Sequence, residues 1–311
     1  MIAVLAGGVG AARFLSGLLQ VVDPADVVAI VNVGDDIELH GLHISPDLDT
    51  VMYTLAGAIN PDTGWGLRDE TWQAMESLAH YGGPAWFRLG DRDIGTHLFR
   101  TGRLRDGAPL SRITAELCAA WNLGCQVTPV TDDRLQTMVT IDDGGTDVEV
   151  GFQDYFVGRQ HDVTVRSLRF DGASSAGPAP TVIDALASAS AIVIAPSNPL
   201  VSIAPVLAVP GVREAVVARR AACVAVSPLV GGAALKGPAD RLLRDFGHDV
   251  SVVGVARLYA DLAATLVIDD ADAALADDVA ACGLRPVVTD TVMSSPEISA
   301  ALARTVLDAV D

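Results

Sequence analysis

Short runs of uninterrupted apolar residues recur along the chain, and between them apolar positions fall at the three-and-four spacing of helices. Residues 2–6, 27–33, 191–195 and 223–226 read as strands buried on both faces, because no polar residue alternates with the apolar ones. Residues 266–268 and 285–288 read as smaller strands. Helices are predicted after Gly7-Gly8-Val9-Gly10 to about Leu19, from Pro46 onward, over about 67–79 and over 182–188. Further helices are predicted from a Ser111 cap to Gly124, from Pro238, and after Ser295-Pro296-Glu297. This alternation implies a Rossmann-like α/β fold, a mostly parallel sheet flanked by helices, as one domain over 1–311. Between Cys125 and Phe170 the texture turns to β-rich pieces around Asp142-Asp143-Gly144-Gly145. An inserted β-rich subdomain over about 125–172 is expected, serving as a lid or a dimer contact.

The helix after Ser45 is readable residue by residue. Ser45 suits the N-cap, Pro46 the first helical position, and Asp47 the first turn beside the positive end of the dipole. Leu48, Val51, Met52, Leu55 and Ile59 form its apolar stripe, and Asp49 lies off that stripe. Asp49 therefore reads either as a solvated acid that favours the helix start or as a functional carboxylate. The preceding strand runs into Asn32, Asp35 and Asp36, beyond the carboxyl end where open α/β sheets keep their sites.

Composition narrows the partners. With 311 residues, half of them hydrophobic, and a formal net charge of −18, the chain repels nucleic acid and anionic membranes. No uninterrupted apolar stretch has the length of a membrane span. Met1 leads straight into a strand, and Cys118, Cys125, Cys223 and Cys282 form no CxxC pair, so a cytoplasmic location is expected. Anionic substrates require something to offset the acids: backbone N–H donors, a local cation, or a divalent metal.

Four loops supply such groups at predicted strand ends: 7–10, 32–36, 196–199 and 227–236. Gly8 and Gly10 open a helix and fit a phosphate cradle, although the lysine and hydroxyl of a P-loop are missing. The same glycines also fit a turn that only packs the first helix. Ser197, Asn198 and Lys236 complete an inventory for a nucleotide diphosphate. The acids suit Mg²⁺, which takes one or two carboxylates plus substrate phosphates. Asp91, Arg92 and Asp93 read either as site residues or as an ion-pair cluster capping the next helix. Without GxSxG or HExxH, acyl transfer and zinc hydrolysis find no support, and phosphoryl transfer remains.

The motifs GGVGAARFLSGL, VNVGDD, ISPDLDTVMYTLAG, WFRLGDRD with THLFRT, APSNPLVSI and LKGPAD, in this order, resemble the 2-phospho-L-lactate transferase family of deazaflavin coenzyme biosynthesis. The resemblance implies a Mg²⁺-dependent, homodimeric enzyme acting on the deazaflavin Fo and a guanylylated three-carbon phosphoacid, phosphoenolpyruvyl or 2-phospho-L-lactyl, with GMP released. It also implies that Asp49 and Arg92 lie at the deazaflavin site as catalytic residues. Asp36 is expected beside Asp49 at the metal, and Gly8, Gly10, Asn32, Ser197, Asn198 and Lys236 at the nucleotide. Where many relatives carry an extra basic residue before the lysine, this chain has Ala233-Ala234. A non-catalytic nucleotide-sugar or dinucleotide-binding regulator on the same fold is the competing expectation.

Overall fold

The computed structural model describes residues 1–310 and centres on a seven-stranded sheet, every neighbouring pair of which is parallel. From one edge the strands are Arg285–Thr289, Thr265–Asp269, Cys223–Val226, Ala191–Ile194, Ile2–Ala6, Val27–Val31 and Gln126–Pro129. Every residue of Ile2–Ala6 and Val27–Val31 is buried, as the unbroken apolar runs require of strands covered on both faces, and so is every residue of Thr265–Asp269, its polar ends included. The chain builds outward from Ile2–Ala6 to Gln126–Pro129, then returns to place Ala191–Ile194 on the other side of Ile2–Ala6. That reversal opens a crevice between the loops after residues 6 and 194.

The antiparallel insert is smaller than the sequence suggests. Its central strand Gln136–Asp143 pairs with Thr146–Gly151 and Val165–Asp171, whereas Gln126–Pro129 is the edge strand of the main sheet. The insert has its own core of Val139, Ile141, Val150, Phe152, Tyr155 and Val165, into which Val201 and Leu242 of the main body reach. It is thereby fixed beside the loop after residue 194.

Local details differ from expectation for identifiable reasons. Ser45 precedes the helix Pro46–Leu55, but its hydroxyl donates to Asp36 at 2.7 Å and does not cap. Ser111 lies inside a helix that begins at Leu110, because the Asp132 carboxylate accepts from both its amide and its hydroxyl. The helix expected over about 67–79 occupies Gln73–His80. A hairpin of two three-residue strands, Ile37–Leu39 and Leu42–Ile44, carries the chain from Asp36 to Ser45.

Candidate active site

A cleft of about 770 Å³ lies over the crevice at the strand-order reversal. One half is built from backbone. The helix Val9–Leu18 starts at Gly8 with no side-chain cap, so its first N–H groups face the cleft beside Arg13. Glycine is required here by close approach: a Cβ at Gly10 would run into the Pro196 carbonyl oxygen, and one at Gly8 would come within 2.6 Å of Asp47 Oδ1. Across the crevice the Gly7 amide donates to Ser197 Oγ at 3.2 Å. Asn198 caps the following turn, accepting from the Leu200 amide at 2.9 Å, while its buried Nδ2 has no partner.

Acids form the floor. Asp47 Oδ2 accepts from Asn32 Nδ2 at 2.9 Å, and Asn32 Oδ1 accepts from the Gly34 amide at 2.8 Å, so Asn32 braces Asp47 from beneath the cleft. Burial pushes Asp47 up to about 7 despite the Asn32 bond. Asp35, also on the cleft wall, is raised well above the carboxylate range by burial and by Asp47, and its Oδ1 has no partner. Asp36 does not line the cleft: its Oδ2 accepts from Ser45 and lies 2.9 Å from His43 Nε2.

The other half is aromatic. Trp65, Phe87, Phe152 and Phe156 line it, with Phe152 and Phe156 stacked at 5.5 Å between centroids. The last two come from the insert, which therefore supplies one wall. Lys236 enters from the loop before Ala239–Asp245 and donates to the Thr63 carbonyl at 3.4 Å, joining two rims of the cleft.

Between the halves sits a buried polar chain. Asp49 is fully paired with Arg100, whose Nη1 donates to Oδ2 at 3.0 Å and whose Nη2 donates to Oδ1. His97 Nδ1 lies 3.3 Å from Arg100 Nη1, and His97 Nε2 lies 3.4 Å from Asp93 Oδ2 without hydrogen-bond alignment. Asp93 in turn accepts from the Tyr53 hydroxyl at 2.7 Å. Ligand atoms of Asp49, Asp93 and His97 fall within 4.8 Å of one another, the spacing of a metal set.

Of the residues singled out in the sequence, Gly8, Gly10, Asp49, Ser197, Asn198 and Lys236 line the cleft, and Asn32 supports it. Arg92 is not brought there. It is exposed, and its guanidinium donates to the Arg68 carbonyl at 2.8 Å; Arg88, four residues earlier, is on the wall. The expected capping by Asp91 is real but serves the previous helix, where it accepts from the Gln73 and Ala74 amides. Glu70 caps the helix Asp91–Arg105 instead. Arg100 and Tyr53 were not foreseen.

Comparison with known proteins places this cleft in context. The family model described as 2-phospho-L-lactate transferase CofD matches residues 2–306. The phosphoenolpyruvate transferase of Streptomyces griseus is 46% identical over 309 residues, covering 99% of this chain and 97% of that protein. The protein of the same name from Nocardia farcinica is 44% identical over 311 residues, covering 99% and 94%. Among solved structures, a UPF0052 family protein from Bacillus halodurans superposes with a TM-score of 0.64 at 17% identity, covering 98% of both chains, a likeness of fold. Among the described residues no single helix is long and apolar enough to cross a membrane. The chain belongs to the 2-phospho-L-lactate transferase CofD family and is an enzyme of the phosphotransferase kind.

Proposed function

We propose that the protein transfers a phosphoenolpyruvyl group from a guanylylated donor to the terminal ribityl hydroxyl of the deazaflavin Fo, in the cytoplasm. The observation that carries this reading is full-length identity of 44–46% to relatives named phosphoenolpyruvate transferase. The division of the cleft supports it. The open helix N-terminus at Gly8 to Gly10, with Arg13, Ser197, Asn198 and Lys236, suits a nucleoside diphosphate. The Trp65, Phe87, Phe152 and Phe156 half suits a flat tricyclic ring.

In this reading the ribityl oxygen attacks the phosphorus bearing the three-carbon acid, the bond from that phosphorus to the GMP oxygen breaks, and the hydroxyl proton leaves. Asp49 is held rigidly by Arg100, yet each of its oxygens keeps a second lone pair, so it can orient that hydroxyl and take its proton. Holding the two substrates in line carries most of the rate. Asp35 and Asp47 fit a hard divalent cation, because a buried, unpartnered carboxylate oxygen beside a second buried acid calls for positive charge. Mg²⁺ bound there would neutralise the donor diphosphate. Asp49 suits the metal less well than the sequence implies, since Arg100 already neutralises it, and Asp36 faces Ser45 and His43. Arg88 takes the cleft-facing part expected of Arg92, which braces the Arg68 carbonyl.

The test is incubation of the purified protein with Fo, Mg²⁺ and, in parallel, the phosphoenolpyruvyl and 2-phospho-L-lactyl donors, with products identified by mass. The phosphoenolpyruvyl adduct of Fo is expected; preference for the other donor would replace the three-carbon acid and keep the reaction.

A further inference from the structure

Among the described residues the cleft is lined by three cationic side chains, Arg13, Arg88 and Lys236. Arg13 stands beside the open helix N-terminus, and Lys236 donates to the Thr63 carbonyl. Arg88 is held differently: its guanidinium carbon lies over the Trp72 ring, 4.2 Å from the centroid. No carboxylate or carbonyl among the described residues accepts from it, although the chain has 39 acids to 21 lysines and arginines. An indole face attracts the cation without offering it an acceptor, so the fork of N–H donors stays free. That fork matches a planar carboxylate, which it grips through two parallel bonds.

The ring beneath the cation is clamped. Thr71 and Gln73, the neighbours of Trp72, both bond to Asp91: the Asp91 amide donates to the Thr71 carbonyl at 2.9 Å, and the Gln73 amide donates to the Asp91 carboxylate at 3.1 Å. Arg88 lies three residues before Asp91, so one short segment both carries the guanidinium and fixes its platform. Such a platform reduces the rotamer entropy that an exposed arginine would otherwise lose on binding an anion. We propose that Arg88 receives the carboxylate of the donor's three-carbon acid, with Trp72 as its positioning residue; the assignment rests on the proposed guanylylated donor. That donor has two anionic parts. The diphosphate is met by the helix N-terminus at Gly8 to Gly10 and by Arg13. The carboxylate requires a second cation, and Arg88, next to Phe87 of the aromatic half, stands where the three-carbon acid meets the acceptor. The phosphoenolpyruvyl and 2-phospho-L-lactyl groups share this carboxylate, so Arg88 requires it without choosing between them.

Calorimetric binding to the full-length protein, with Mg²⁺ and without Fo, tests this. The probes are guanylylated 2-phospho-L-lactate and the same nucleotide with a methyl group in place of the carboxylate. The wild type should bind the carboxylate form at least about tenfold more tightly, the scale of one charge-assisted contact. Arg88→Met should remove that preference by weakening the carboxylate form alone, and Arg88→Lys, which keeps the charge without the fork, should retain part of it. Trp72→Ala should reduce the preference about threefold, Trp72→Phe should restore most of it, and Trp72→Ala should change nothing further once Arg88 is replaced by methionine. Arg88 is exposed, so Arg88→Met should keep native circular dichroism. Equal affinity of the wild type for the two nucleotides, or a preference that survives Arg88→Met, would overturn the assignment while leaving the transfer reaction intact. An unchanged preference in Trp72→Ala would overturn the role of Trp72. Failure to bind either nucleotide would instead overturn the donor on which the assignment rests.

Discussion

Arg100 stands 51 residues beyond Asp49 in the chain and lays its guanidinium across both oxygens of that carboxylate, with neither side chain open to bulk solvent. A buried bidentate pair of this kind fixes direction as well as charge. Asp49→Asn keeps the shape and one acceptor oxygen but leaves the buried Arg100 guanidinium without its counter-charge, so turnover should fall at least about 100-fold and stability by about 3–5 kcal/mol. Arg100→Met should destabilise the protein by about 3–5 kcal/mol, because it strands a buried carboxylate, and adding Asp49→Asn should recover most of that stability without recovering turnover. Urea denaturation of the three variants decides; a stable, active Arg100→Met would dissolve the pair's importance.

Asp47 makes metal-free stability depend on pH. Burial raises its folded value to about 7, so the folded protein keeps a proton that the unfolded chain has lost between the ordinary carboxylate range and neutrality. The stabilisation is complete below the unfolded value and disappears as pH rises through about 7; Asp35 and Asp36, raised the same way, add to it. Thermal midpoints without metal should therefore fall from pH 5 to pH 8. Asp47→Asn should flatten that fall and raise the midpoint at pH 8, while millimolar Mg²⁺ should stabilise the wild type more at pH 8 than at pH 5. An unchanged slope in Asp47→Asn would remove this residue as its source.

The aromatic wall predicts a separation of substrate effects. Phe156→Ala removes half of the Phe152–Phe156 stack facing the cleft. The KM for Fo should rise about tenfold, on the scale of one lost stacking contact, with the KM for the guanylylated donor unchanged. Equal changes in both constants would mean that the insert does not touch the acceptor selectively.

Arg88 and Arg92 give a second discrimination. Arg88 lines the cleft, whereas Arg92 spends its guanidinium on the Arg68 carbonyl. Arg88→Ala should lower kcat/KM at least about tenfold, and Arg92→Ala should do so only about twofold. The reverse order would restore Arg92 as the residue at the acceptor.

Much of the fold was legible because burial on both faces leaves long apolar runs, as in Ile2–Ala6 and Val27–Val31, and a reversal of strand order then gathers the loops at one edge. The helix after Ser45 was legible through Pro46 and the stripe from Leu48 to Leu55. What stayed hidden was non-local. Nothing near Arg100 marks it as buried, since its partner Asp49 belongs to another helix, and the reading of Asp49 as a solvated acid fails for the same reason. Which of Asp35 and Asp36 meets the cleft depends on a turn into a hairpin too short to show a period-two pattern. Ser111 failed as a cap because Asp132, 21 residues away, holds it.

The central claim is transfer to the deazaflavin, and one reaction tests it most directly. Purified protein, Mg²⁺, Fo and the phosphoenolpyruvyl guanylylated donor are mixed, and GMP release and Fo consumption are followed together by mass. The account predicts that one GMP appears for each Fo converted to the phosphodiester, and that Asp49→Asn suppresses both equally. Tight nucleotide binding with no Fo consumed, or GMP released without Fo conversion, would contradict it.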